Sequence, residues 1–225
     1  MSGHINLAVF DCDGTIVDSQ HSIVAAMHAA FDSLSLDFPP AEEIKRIVGL
    51  PLLEAIVRLF PTGEAATHRQ LREEYRKAYS TARENGRIYD PLFPGLNDAL
   101  DELVSAGWVL GIATGKSHLG LVNTLQSHNL LERFLTIQTA DKAAGKPSPD
   151  MLLNAMAETG ADPENTVMIG DTTFDIEMAN NAGTLAVGVA WGYHGTDELI
   201  DAGARAIVRD CTDIPKAVRN VLEVG

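Results

Sequence analysis

Six short apolar runs alternate along this chain with longer segments of helical period, and that alternation limits the possible folds more than any other feature. The runs cover residues 5–10, 108–113, 135–138, 166–169, 185–189 and 206–208. Each is rich in Val, Ile or Leu and is bounded by Gly, Asp or Thr, the signature of a strand buried on both faces. Helix-period segments at 95–106, 119–128, 149–159, 174–182 and 214–223 lie among them. Ser148-Pro149 reads as an N-cap followed by proline at the first helical position, and Gly160 as the stop. Strands and helices in this order predict right-handed βαβ units. The expected fold is therefore α/β, a doubly wound parallel sheet covered by helices on both faces.

One stretch interrupts the pattern. Residues 16–92 show helical period only, at 22–36, 42–48, 52–60 and 65–85, with turn signals at Pro39-Pro40, Pro61-Thr62-Gly63 and Asp90-Pro91. A βα connection is normally a few residues long, so this stretch reads as a small all-helical domain inserted after strand one. The predicted division is 1–15 plus 93–225 for the α/β core and 16–92 for the insert. The insert carries 9 basic and 11 acidic residues, out of 17 and 31 in the whole chain. Almost all of the net charge of −14 therefore belongs to the sheet domain.

That acidity excludes some functions. A nucleic-acid binder needs a basic footprint, and an anionic lipid surface repels a chain like this one. Two cysteines, Cys12 and Cys211, provide neither a disulfide framework nor zinc spacing, which fits a reducing cytosol. No apolar run approaches a membrane span, and Asp11 and Asp13 come too early for a signal peptide. The chain reads as a soluble cytoplasmic protein with 45% hydrophobic residues, enough for a substantial core. Its oligomeric state is left open.

In an open parallel sheet, ligands bind outside the carboxyl ends of the strands. Strand one ends in Asp11-Cys12-Asp13-Gly14-Thr15, and the strand at 108–113 runs into Thr114-Gly115-Lys116. Lys146-Pro147 precedes the helix at 149, and the strand at 166–169 leads to Gly170-Asp171 and then Asp175. Crowded carboxylates repel unless a cation joins them. Mg²⁺ binds through few carboxylates and substrate phosphate, lysine binds phosphate as a point charge, and amides at a helix N-terminus receive phosphate oxygens. An acidic metal-binding cluster beside anion-binding groups describes phosphoryl transfer.

Other residues carry ordinary readings. Lys116 reads as a solvated lysine, Asp18-Ser19 as the cap of the first insert helix, and Cys12 as a small core residue. His4, His21, His28, His68, His118, His128 and His194 lack metal spacing and read as surface or satisfied residues. The segment Gly111 to Ser117 imitates a P-loop, but three residues separate its glycines where the motif needs four, and Gly111 lies within a strand.

Taken in order, Asp11-x-Asp13-Gly14-Thr15, Thr114-Gly115, Lys146-Pro147 and Gly170-Asp171-xxx-Asp175 resemble the four motifs of the haloacid-dehalogenase-like (HAD) hydrolase superfamily, and the insert resembles its helical cap. Residues 10–19, Val48 to Leu52 and Phe93-Pro94-Gly95 are similar to phosphoglycolate phosphatases. The resemblance implies a Mg²⁺-dependent phosphatase acting on a small phosphorylated metabolite through an aspartyl phosphate. It implies Asp11 as nucleophile and Asp13 as acid and base. The metal would be held by Asp11, the Asp13 carbonyl and Asp171, with Asp175 behind them. Thr114, the Gly115 amide and Lys146 would hold the phosphoryl oxygens. Asp13 favours ester cleavage over dehalogenation, because an alkoxide needs a proton and a halide does not. The loop at Gly49-Leu50-Pro51-Leu52 should face the site. It lacks the arginine of the β-phosphoglucomutase type, which stays as the alternative. A phospho-accepting receiver domain is the non-enzyme alternative.

Overall fold

The computed structural model describes residues 4–88 and 90–224. Its centre is one six-stranded sheet in the order β3-β2-β1-β4-β5-β6, with every neighbouring pair parallel. The strands are β1 (Leu7–Phe10), β2 (Val109–Thr114), β3 (Thr136–Thr139), β4 (Thr166–Gly170), β5 (Leu185–Val189) and β6 (Ala206–Val208). All six lie within or one to two residues from the predicted runs. The doubly wound α/β expectation is met.

The pleat sends alternate residues of β1 to opposite faces. Ala8 and Phe10 join α5 (Leu96–Ser105), α6 (His118–Ser127) and α10 (Ile214–Val224) in one apolar cluster, through Leu100, Leu121 and Val218. Leu7 and Val9 join α7 (Asp150–Thr159) and α8 (Thr173–Ala182) in the other, through Met151, Met156 and Met178. Burial on both faces explains why β1 reads as a continuous apolar run.

Four helices lie between β1 and α5: α1 (Gln20–Ser33), α2 (Ala41–Arg46), α3 (Leu52–Leu59) and α4 (Ala65–Glu84). They enclose a third cluster built from Met27, Phe31, Ile44, Ile56 and Leu71. Along α4, His68, Leu71, Tyr75 and Tyr79 fall at one face's spacing, and the two tyrosine rings stack with centroids 6.0 Å apart.

Two local expectations change. Helix α7 starts at Asp150 with Pro149 at the cap position, and no side chain caps it, so Ser148 is not the N-cap. A short helix, α9 (Thr196–Asp201), was not expected. Six residues carry too little period to register, and its start is fixed instead by Glu198 accepting from the Gly195 amide at 2.9 Å.

Strand order reverses between β1 and β4, where the connections leave in opposite directions and open a crevice at the carboxyl edge. Phe10 is level with Ile112 on one side and Ile169 on the other. That register brings Asp11, Thr114 and Asp171 to one edge.

Candidate active site

The turn after β1 is tied to β4 before it leaves the sheet: the Asp11 amide donates to the Ile169 carbonyl at 2.9 Å. Gly14 then adopts φ +84°, and a Cβ there would lie 2.3 Å from Asp171 Oδ2. Glycine is thus required twice, for the backbone angle and for the close approach. Asp171 is fully buried. Its Oδ1 accepts from the Thr15 hydroxyl at 2.7 Å and its Oδ2 from the Tyr193 amide at 2.9 Å.

Lys146, also fully buried, stands between two carboxylates, 2.9 Å from Asp11 Oδ1 and 2.5 Å from Asp175 Oδ1. The second oxygen of Asp175 is taken by the Thr172 amide at 3.0 Å and hydroxyl at 2.8 Å, which closes the start of α8. Asp175 therefore has both oxygens engaged, whereas Asp11 Oδ2 is buried and makes no hydrogen bond. Carboxylate oxygens of Asp11, Asp171 and Asp175 come within 4.8 Å of one another. Three buried carboxylates face one lysine, an imbalance of two negative charges. Burial, Lys146 and Asp175 act on Asp11, burial dominates, and its pKa rises to about 6. Burial first, and then Asp175 and Asp11, push Asp171 well above the usual carboxylate range.

The structure corrects two residues. Lys116 is no solvated lysine: its Nζ lies 2.5 and 2.7 Å from the two oxygens of Asp13 and 5.6 Å from the centre of the Tyr79 ring on α4. Burial lowers its pKa and Asp13 raises it, with Asp13 and its neighbours prevailing, so the lysine stays charged. Ser19 occupies the N-cap position of α1, as expected, but its side chain makes no cap hydrogen bond. Its hydroxyl instead donates to Asp13 Oδ1 at 2.5 Å and approaches the Tyr193 hydroxyl at 3.3 Å. The Asp13 carboxylate is thus turned away from the Asp11 cluster, while its carbonyl receives none of the backbone hydrogen bonds in this turn.

Thr114 is buried at the end of β2, with its hydroxyl accepting from the Lys116 amide at 3.3 Å. The loop after α2 closes over this end. A Cβ on Gly115 would lie 2.5 Å from the Gly49 carbonyl, and one on Gly145 2.0 Å from Pro51 Cγ. Asp11, Asp13, Thr114, Gly115 and Lys116 open into a cavity of about 870 Å³, whose far walls come from that loop, α1, α4 and α6. Behind the loop, His194 Nδ1 accepts from the Thr173 amide and Nε2 reaches the Arg46 carbonyl, both at 3.1 Å. The ring therefore carries its proton on Nε2. Most other histidines follow expectation, for example His68 and His128 on backbone carbonyls. His118 does not, since its Nδ1 is buried without a partner. Cys12 is buried and free, and Gly111 sits inside β2, as expected.

The model of the haloacid dehalogenase-like hydrolase family matches residues 8–189. The chain belongs to that family. It is 34% identical over 222 residues to "Probable phosphatase IndB" of Dickeya dadantii, covering 97% of this chain and 96% of that one. It is 31% identical over 209 residues to "Tyrosine-protein kinase PtkA" of Mycobacterium tuberculosis, covering 92% of this chain and 69% of the relative. A hydrolase from Pseudomonas syringae superimposes with a TM-score of 0.83 at 26% identity, over 96% of this chain and 98% of that one. Among the described residues, no helix is long and apolar enough to cross a membrane.

Proposed function

We propose that this chain is a Mg²⁺-dependent phosphatase that hydrolyses a small phosphorylated metabolite through an aspartyl phosphate formed on Asp11. The observation that carries the reading is the buried group of Asp11, Asp171 and Asp175, two of them paired with Lys146, which meets through Asp11 a cavity at the sheet's switch point. Its excess of carboxylates over lysine and the unpartnered Asp11 Oδ2 fit a hard divalent cation, which would favour their ionised forms. Asp11, Asp171 and the Asp13 carbonyl would hold it, and Asp175 orients the group through Lys146 and Thr172. When bound, the ion offsets charge on the carboxylates and on the phosphoryl oxygens.

The residues of the chain divide the chemistry. Asp11 attacks phosphorus, the ester bond breaks, and Asp13 gives the departing oxygen its proton. Asp13 then takes a proton from the water that hydrolyses the aspartyl phosphate. Thr114, the Gly115 amide and Lys146 hold the phosphoryl oxygens. Residues 16–92 act as the cap over a core of 1–15 plus 93–225, with the Gly49–Leu52 loop excluding water. Phosphatase is favoured over the kinase activity named for one relative. The glycine of the P-loop-like segment lies within β2, and Asp13 supplies the proton that an ester's leaving group needs.

The test is phosphate release from p-nitrophenyl phosphate and a panel of metabolites including 2-phosphoglycolate, with Mg²⁺ present or chelated. Asp11→Asn should abolish turnover with the fold intact. Near-wild-type activity in that variant, or full rate in excess chelator, would overturn the assignment. Isomerisation of a hexose 1-phosphate without net phosphate release would point to a mutase instead.

A further inference from the structure

The cavity beyond Asp11 is large for a small ester. Its volume of about 870 Å³ lies near the upper end of pockets that enclose drug-sized ligands. A phosphoryl group with a two-carbon tail would leave most of it unfilled. Its charge also departs from that of the molecule. In a chain of net charge −14, α4 lays Arg72, Arg76, Lys77 and Arg83 along the cavity wall.

Three of these cations have carboxylate partners on the same helix. Glu73 lies 2.8 Å from Arg72 and 3.5 Å from Arg76, and Glu74 lies 3.8 Å from Lys77. Arg83 has no carboxylate partner among the described residues. It is half-buried, with its guanidinium 5.8 Å from the centre of the Tyr79 ring and one long contact, 3.4 Å, to the Thr124 hydroxyl on α6. The same Tyr79 ring carries Lys116 Nζ at 5.6 Å, and Lys116 grips Asp13. Arg83 therefore stands no more than about 11 Å from the lysine beside the reacting centre. Apolar side chains such as Met27, Leu52 and Leu119 form much of the remaining wall.

We infer that Arg83 anchors a second anion-binding subsite, and that the substrate is a phosphate monoester carrying a second anionic group at the far end of a mainly apolar body. This rests on the phosphatase reading. The inner anion is the ester cleaved at Asp11, and the outer one is a carboxylate or phosphate that takes the guanidinium in bidentate fashion. At about 1.2 Å per bond of an extended chain, a body of about nine bonds covers the upper limit of about 11 Å between Lys116 and Arg83.

Two series of phosphate monoesters test this, ω-carboxyalkyl phosphates and the n-alkyl phosphates of matching length, from roughly two to ten carbons. In the wild type, the carboxylate should raise kcat/KM about tenfold at intermediate lengths and have little effect at two carbons. Arg83→Met should bring that ratio close to one, and Arg83→Lys should restore part of it. Thr124→Val removes the contact to α6 but keeps the cation, so the ratio should survive. A ratio near one at every length in the wild type overturns the proposal while the phosphatase reading stands. Equal loss of the ratio in Thr124→Val and Arg83→Met also overturns it, because the arginine would then act through closure of the two lobes. If neither series is hydrolysed while p-nitrophenyl phosphate is, this proposal fails and the phosphatase reading stands; if none of the three is hydrolysed, both fail.

Discussion

Replacing Asp11 by asparagine removes one of three carboxylates that share a buried space with a single lysine. The ionised carboxylate loses hydration on burial, and Lys146 does not make up the difference, so the Asp11 pKa stands at about 6 against an ordinary 3.8. Between those values the folded protein holds a proton that the unfolded chain has released, so stability falls as pH rises through that window. Above the window the cost is constant. A shift of about two units amounts to about 3 kcal/mol. Asparagine is nearly isosteric and cannot ionise, so the metal-free variant should be more stable than wild type by about 3 kcal/mol at pH 7.5. For a chain of this size that raises Tm by about 6–12 °C. Near pH 4 the two proteins should converge. Urea unfolding in excess chelator across pH 4 to 8 measures this directly. A variant less stable than wild type at pH 7.5, or a difference that does not change with pH, would refute the electrostatic argument.

Three further outcomes follow from the same geometry. Mg²⁺ at a hundred times its Kd should stabilise the wild type by about 2.7 kcal/mol, and thermal scans should show this gain largely lost in Asp171→Asn. Lys116→Met leaves the Asp13 carboxylate buried without its cation and should cost about 3 kcal/mol. Asp13→Asn combined with Lys116→Met should recover most of that loss, and additive losses in urea unfolding would show that the pair is not coupled. Gly145→Ala puts a methyl group onto Pro51, between the cap and the sheet rather than inside either core. It should lower kcat/KM by about ten- to a hundredfold by displacing the closing loop, while Tm moves little. A large fall in Tm with kcat/KM unchanged would contradict that placement.

The central strands were legible because β1 and β4 are buried on both faces and so appear in the sequence as apolar runs followed by an aspartate. The order of the sheet followed less directly, since nothing in a strand's composition says whether β4 joins β1 or β3. The helices of residues 16–92 were legible from period, but the surface they present to the cavity was not. On α4 the same side chains serve two purposes. Tyr75 packs against the cluster around Leu71 and also lines the cavity, together with Tyr79, Arg72, Arg76 and Arg83. In one dimension they read as an ordinary charged face with i,i+3 and i,i+4 partners.

The misread residues share a physical cause. Asp11, Thr114 and Asp171 end strands or follow them by one residue, so sheet geometry alone predicts their convergence, whereas Lys146 stands in the loop between β3 and α7 and was found from its place before the helix. Lys116 and Ser19 each lie beyond a turn, and their side chains reach the site only by bending back. For Lys116 a signal was present: two residues after Thr114, its long stem can cross the strand end to any carboxylate at the end of β1. For Ser19 there was none, because a serine just before a helix is the ordinary N-cap, and only the Asp13 oxygen 2.5 Å away draws its hydroxyl elsewhere. The two residues converge on the same carboxylate, and this changes how the site must work. In the proposed mechanism, one of the contacts that hold Asp13, to Lys116 or to the Ser19 hydroxyl, has to yield before Asp13 serves the leaving group. Lys116 also lies against Tyr79 of α4, so a substrate body entering beneath that helix meets the lysine first. On the proposed mechanism, a substrate that displaces Lys116 as it fills the cavity would also free Asp13 to act as the acid.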